Sequence, residues 1–191
     1  MFFESSPIEV IHMGRAALAA AADALDAAAA VSIRDGRGIA ITNTAHGWYA
    51  GSTLEITDTT SHNGMRYLDS VAADTMNFLC RSFIAETFTT SDYVNPWIWF
   101  NSDRRWELLQ FEMHLSAAGN TAENVTLQKD ANMGAAWDTV IYSKDTNGVA
   151  DIIWTPPKGV VFGGKDRLKL AWANGGTARN WGATFYFRRE R

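Results

Sequence analysis

Cysteine is nearly absent: Cys80 is the one thiol in 191 residues. No intrachain disulfide can form, and a cysteine-built zinc site has too few ligands. Proline is scarce at four residues, and basic charge is not in excess: 17 Lys and Arg stand against 21 Asp and Glu, a net charge of −4. A chain of that balance has no field to draw in nucleic acid. A long apolar run is missing too. The stretch RAALAAAADALDAAAAVSI, 15–33, is mostly alanine and carries Asp23 and Asp26. It is therefore a weak membrane segment, and the same two acids interrupt what a secretory leader would need. No membrane partner is expected.

Catalytic signatures are absent as well. The polar stretch 41–71 holds His46, His62, Asp58, Asp69, Ser52 and Ser61. Its serines sit in no Gly-x-Ser-x-Gly elbow. Its histidines, with no cysteine or adjacent glutamate, lack metal-ligand spacing. FGGKDR, 162–167, lacks the spacing of a phosphate loop, and NGGTARNWG, 174–182, reads as a long hairpin loop around Arg179 and Asn180. Asp103, Glu107, Glu112, Asp138 and Asp151 fall in no glycosidase pattern. The expectation is a protein that is not an enzyme, with no catalytic, cofactor-binding or metal residues and no cofactor.

What is present points to β structure. There are 15 glycines and eight tryptophans, all of the latter but Trp48 lying after residue 96. Aromatic-rich, turn-rich sequence favours sheets. Three segments follow. Residues 1–33 predict a helix: Ser5-Ser6-Pro7 with Glu9 resembles a capped start, and 11 of the 15 residues from Ala16 to Ala30 are alanine, the best helix former. Ile11, Leu18 and Leu25 recur at heptad spacing, with Ile8, Ala22 and Ala29 interleaved and Arg15 as a polar break. Such a thin stripe needs another surface, either its own domain or another copy. Ile8, Ile11, Leu18, Ala22 and Leu25 are the expected oligomerisation or anchor residues.

Residues 34–92 predict a small antiparallel β module with strands at 39–42, 53–57, 65–71 and 76–80, and with DGRG at 35–38 as a turn. Asn63-Gly64 is a strong hairpin signal, and Gly47, Gly51, Asp58 and Ser61 suit turns. The polar stretch thus reads as turn chemistry. Cys80 continues the alternation of Met76 and Phe78 and reads as a structural thiol.

Residues 93–191 predict eight strands, at 97–100, 106–116, 124–129, 138–143, 150–154, 160–162, 168–173 and 183–188. The parity change between Leu108 and Leu109 predicts a β-bulge. His114 should face away from Met113 and Leu115. This spacing is that of a β-sandwich or jelly roll. The expected fold class is mainly β: an N-terminal helix, a small antiparallel module, then a jelly-roll-like sandwich. Seven tryptophans exceed the roughly three or four rings such a core can bury. Trp97, Trp99, Trp137 and Trp181 are therefore expected at a subunit interface or a glycan-stacking surface.

Two stretches also resemble known proteins. HGWYAGSTLEIT, HNG and AADTMNF resemble a small β module of bacteriophage virion and tail proteins. WELLQFEMHLSAAGNTAENVTLQKD, AWDTVIYSKD, DIIWTPPKGVVFGGKDRLKLAWAN and WGATFYFRR resemble the C-terminal domains of phage head-fibre, decoration and tail proteins. The resemblance implies a jelly-roll-like, homotrimeric virion protein that decorates the capsid by binding the major capsid protein or another virion protein. The alternative is a tail-fibre protein that binds a host surface glycan. Either would be made in the bacterial host cytoplasm and reside on the virion.

Overall fold

IEVIHMGR carries three β-branched residues in its first four and pairs along its whole length with a distant strand, so it is extended where the sequence predicts a helix. The computed structural model describes residues 7–26, 31–34, 38–80, 84, 86–89, 91–100 and 104–189. Its first half contains β1 (Ile8–Arg15), β2 (Asp23–Ala24), β3 (Val31–Arg34), β4 (Gly38–Thr42), β5 (Thr53–Thr57), β6 (Gly64–Ala72), β7 (Thr75–Leu79) and β8 (Tyr93–Asn95). The second contains β9 (Trp97–Trp99), β10 (Trp106–Leu115), β11 (Asn124–Asp130), β12 (Thr139–Asp145), β13 (Asp151–Trp154), β14 (Val160–Phe162), β15 (Arg167–Ala171) and β16 (Trp181–Arg189).

Three antiparallel sheets result. A five-stranded sheet runs β1-β16-β10-β13, with β14 also pairing β10. A four-stranded sheet runs β12-β11-β15-β9, and a seven-stranded sheet runs β2-β8-β5-β6-β7-β4-β3. The first two face each other as a sandwich. Phe111 of β10 meets Tyr142 of β12 at 6.0 Å between ring centres, Tyr142 meets Trp154 of β13 at 4.6 Å, and Phe100, beyond β9, meets Phe187 of β16 at 5.2 Å. So β12 lies over β13, and β9 lies towards β1 and β16. The third sheet is inserted in sequence between β1 and β9. All eight strands expected after residue 96 are present, and the register of β10 against β16 shifts between Leu108 and Gln110, the predicted bulge.

The N-terminal helix is overturned. Among the described residues no α-helix occurs, and the one helical element is a single 3-10 turn, Ala135–Trp137. Strand β1 pairs along its whole length with β16, Ile8 opposite Arg188 through Arg15 opposite Trp181. The alanine stretch is irregular instead. Ala17 has φ 52, and Ala20 exchanges backbone hydrogen bonds of 2.9 and 3.0 Å with Trp172. A helix would need its carbonyls for its own ladder, but Arg15 Nη1 takes that of Ala19 at 3.2 Å. Small side chains permit the close approach, as at Ala20, which is buried. Among the stripe residues Ile8, Leu18 and Ala22 are exposed, Ile11 is half-buried and Leu25 is buried, so they share no face. Ser5, Ser6, Ala29, Asp103 and turn residues 35–37 lie outside the described residues.

In the inserted sheet, the strands predicted at 39–42, 53–57, 65–71 and 76–80 appear with small changes of boundary. Asn63-Gly64 does not form a two-residue turn. The connection from β5 to β6 is a longer loop, closed where Asn63 Oδ1 accepts from Thr59 N–H at 2.9 Å and Asn63 Nδ2 donates to Thr59 C=O at 2.7 Å. The buried apolar residues of sandwich and insert form one continuous cluster, from Ile39, Ile56 and Phe78 to Phe111, Phe185 and Phe187.

Candidate functional site

The polar residues of 41–71 are held by the backbone. The ring of His46 accepts from Trp48 N–H at its Nδ1, 3.0 Å, and its Nε2 lies 3.1 Å from the Ala72 carbonyl. His62 Nε2 lies 2.8 Å from the Ile84 carbonyl. Ser52 Oγ accepts from Gly14 N–H at 3.1 Å. Asp58 has φ 66, a turn conformation. These side chains satisfy loops whose backbone would otherwise be buried unpaired. Among the described residues, no group of three or more His, Cys, Asp or Glu could hold a metal ion. No helix there is long and apolar enough to cross a membrane.

Two buried ion-pair centres join insert to sandwich. At the first, Arg15 donates from Nε to the His46 carbonyl at 2.7 Å, pairs with Asp23 at 2.7 Å and lies 4.6 Å over the Trp48 ring. Asp23 also accepts from Trp48 Nε1 and Asn43 Nδ2, both at 3.1 Å. Burial lowers the Arg15 pKa, while Asp23 works against that shift. At the second, Arg167 of β15 donates to Glu55 of β5 at 2.8 and 3.1 Å. Glu55 is 1% exposed. Burial raises its pKa more than Arg167 lowers it.

The tryptophans divide sharply. Trp181 is 2% exposed, its Nε1 donating to the Leu18 carbonyl at 2.9 Å and its ring edge-on to Trp48. The expectation of an interface or glycan-stacking ring fails there, because Trp181 fills the junction between the two units. Trp97 and Trp99 are half-buried, with Lys169 4.8 Å and Arg167 5.5 Å from their ring centres. Trp137 is 60% exposed. A cleft of about 400 Å³ opens where edge strands β1 and β9 part, with Ile11, Ile98, Trp99 and Phe187 inside and Glu9 and Arg66 among its polar groups. Burial raises the Glu9 pKa.

The surface residues that sequence reasoning missed are at the sandwich edges. Val10 stands exposed beside Ile8 on β1, Ile153 stands exposed on β13, and Met133 and Val140 stand exposed on either side of Trp137 along the chain. The parity of IEVIHMGR and DIIW would have shown them, once both were known to be sandwich strands. Comparison with protein-family models, with curated proteins and with solved structures finds no match for this chain.

Proposed function

We propose that this chain is a non-enzymatic structural protein of a tailed-phage virion, a capsid-decorating or head-fibre protein that works as a homotrimer of jelly-roll-like domains. The jelly-roll reading draws support from the path of the chain. Successive strands cross between the two facing sheets from β9 to β10, β10 to β11, β12 to β13, β14 to β15 and β15 to β16. That alternation suits a double Greek key.

One observation carries the assembly reading. Opposite edges of the sandwich bear different exposed apolar side chains: Ile8 and Val10 on β1, and Val140 on β12 with Trp137 and Met133 in the connection before it. Two unlike patches on one chain suit a heterologous contact, which closes into a ring when its rotation permits. A ring of three presents three copies of any capsid-binding surface, so weak contacts reinforce one another.

Light scattering of the purified chain tests the ring, and co-sedimentation with undecorated capsids tests the location. The expected mass is three times 21.1 kDa, with the protein in the capsid pellet. Val140→Lys and Ile8→Lys should each dissociate the trimer. A monomer that stays in the supernatant would end this reading, and pelleting with tails alone would move the chain to the tail.

A further inference from the structure

The outer face of the five-stranded sheet contains a trough made by glycines in register. Gly14 of β1 pairs Gly182 of β16, which pairs His114 of β10, which pairs Asp151 of β13. In the next row lie His12, Thr184, Glu112 and Ile153. Two hollows, about 400 and about 270 Å³, share Gly182 and Thr184 and so form one depression across the sheet. A Cβ added at Gly182 would meet nothing within 4 Å, so the floor there is open. At one end the Tyr49 ring lies over Gly14, with Cδ2 3.2 Å from where a side chain would begin. Tyr67 lines the same end, and the two rings are 41% and 46% exposed. From β1 to β13 is three strand spacings, about 14 Å, the reach of a short oligomer.

The polar groups along it have capacity to spare. His12 Nδ1 is 3.0 Å from Thr184 Oγ1, and His114 Nδ1 is 2.6 Å from Asp151 Oδ1. Each imidazole keeps its Nε2, and Asp151 keeps its second oxygen. Among the described residues, the hydroxyls of Tyr49 and Tyr67 have no partner. Among the described residues no lysine or arginine lines either hollow, and the charged groups facing it, Glu112 and Asp151, are acidic. That field repels anionic ligands. A sheet face also offers no free ladder groups, which an extended peptide would require. Exposed tyrosine rings with many separate donors and acceptors suit a ligand with apolar C–H faces and many hydroxyls.

We propose that this trough binds a neutral oligosaccharide, with Tyr49 and Tyr67 against sugar C–H faces and His12, Thr184, His114 and Asp151 bonding hydroxyls. The site goes beyond the assembly reading and holds on a capsid or on a tail.

Saturation-transfer NMR and calorimetry on the full chain test it with maltotriose, cellotriose, chitotriose and mannotriose, against sialyllactose and a heparin oligosaccharide. At least one neutral trisaccharide should bind with a Kd on the order of 1 mM or tighter. Gly182→Val fills the open floor, in a strand that favours valine. It should weaken binding at least about tenfold, a loss of about 1.4 kcal/mol, with unfolding midpoint and mass unchanged. Tyr49→Ala should weaken it several-fold, and Trp137→Ala should leave it intact. Three outcomes would each overturn the proposal: no neutral trisaccharide binds, the acidic sugars bind as well, or Gly182→Val binds normally. The mass measurement stands apart from all three, so loss of the trimer is read separately.

Discussion

The sandwich and the inserted sheet bury different things. The sandwich interior is mainly hydrocarbon: Leu108, Phe111, Leu127, Phe162, Leu170, Phe185 and Phe187 are all buried, and the buried polar residues of this half, Arg15, Thr146, Asn174 and Arg179, lie at strand ends and in loops. The insert has apolar residues too, but between residues 43 and 95 it also buries Asn43, His46, Ser52, Glu55, Thr59, His62, Asp92 and Asn95. Long strands satisfy their own backbone in ladders. Short strands joined by long loops leave donors and acceptors over, and side chains must supply the partners. A polar-rich sequence can therefore mark a buried scaffold as readily as a reactive site.

The contrast can be broken most severely from the sandwich side. Phe185 lies 5.0 Å from Phe111 in the core. Phe185→Ala should cost about 3–5 kcal/mol, read by urea unfolding. Because one apolar cluster spans both units, the loss should move a single transition, and two separate transitions would show the units to be independent.

Next is the bridge between them. Arg167→Met leaves the Glu55 carboxylate buried without its partner. The full cost of such a loss is about 3–5 kcal/mol, and partial exposure of Arg167 brings the expectation to about 2–3 kcal/mol. The pH sign follows from the raised Glu55 pKa, set first by burial. The folded protein holds that proton more tightly than the unfolded chain does. The contribution is full below the unfolded value and is lost as pH rises through the folded one. The deficit of Arg167→Met should therefore shrink as pH falls.

Asp23→Asn removes the charge that balances buried Arg15 and should cost about 2 kcal/mol. Asp166, on the sandwich side, sharpens the comparison through its opposite sign. Burial pushes its pKa up, but N–H groups of Gly163 and Asn132 together with Lys129 outweigh that and hold it low. Its contribution is present above the unfolded value and lost as pH falls through the folded one. Asp166→Asn should thus cost about 1 kcal/mol near neutral pH, and the deficit should vanish in acid. Smallest of all, Val140→Lys on the exposed edge should change stability by no more than about 0.5 kcal/mol, while the mass falls.

Local pattern made much of the fold legible. TLEIT alternates and is β5, VVF is β14, and the changed parity at Leu108 is the bulge. Period-two alternation is set by neighbouring residues, so it survives any tertiary context. The first strand is not legible because alanine abundance and a seven-residue spacing in the following stretch point to a helix, and IEVIHMGR has β-branched residues but no clean alternation to oppose that. Its partner β16 lies at the far end of the chain, so no local signal names it. Trp181 was misassigned for a related reason: a count of rings does not say which ones meet a second unit and become covered.

From the sequence alone came the β character, most strand and turn positions, the solitary thiol and the lack of a basic field, because each depends on composition or on residues a few positions apart. Tertiary structure decided which sheet each strand joined, that His46, His62 and Glu55 are buried, and that Gly14 meets Gly182. Those depend on pairing across long sequence separations, where hydrogen-bond register and shared burial choose the partner and local preference is silent.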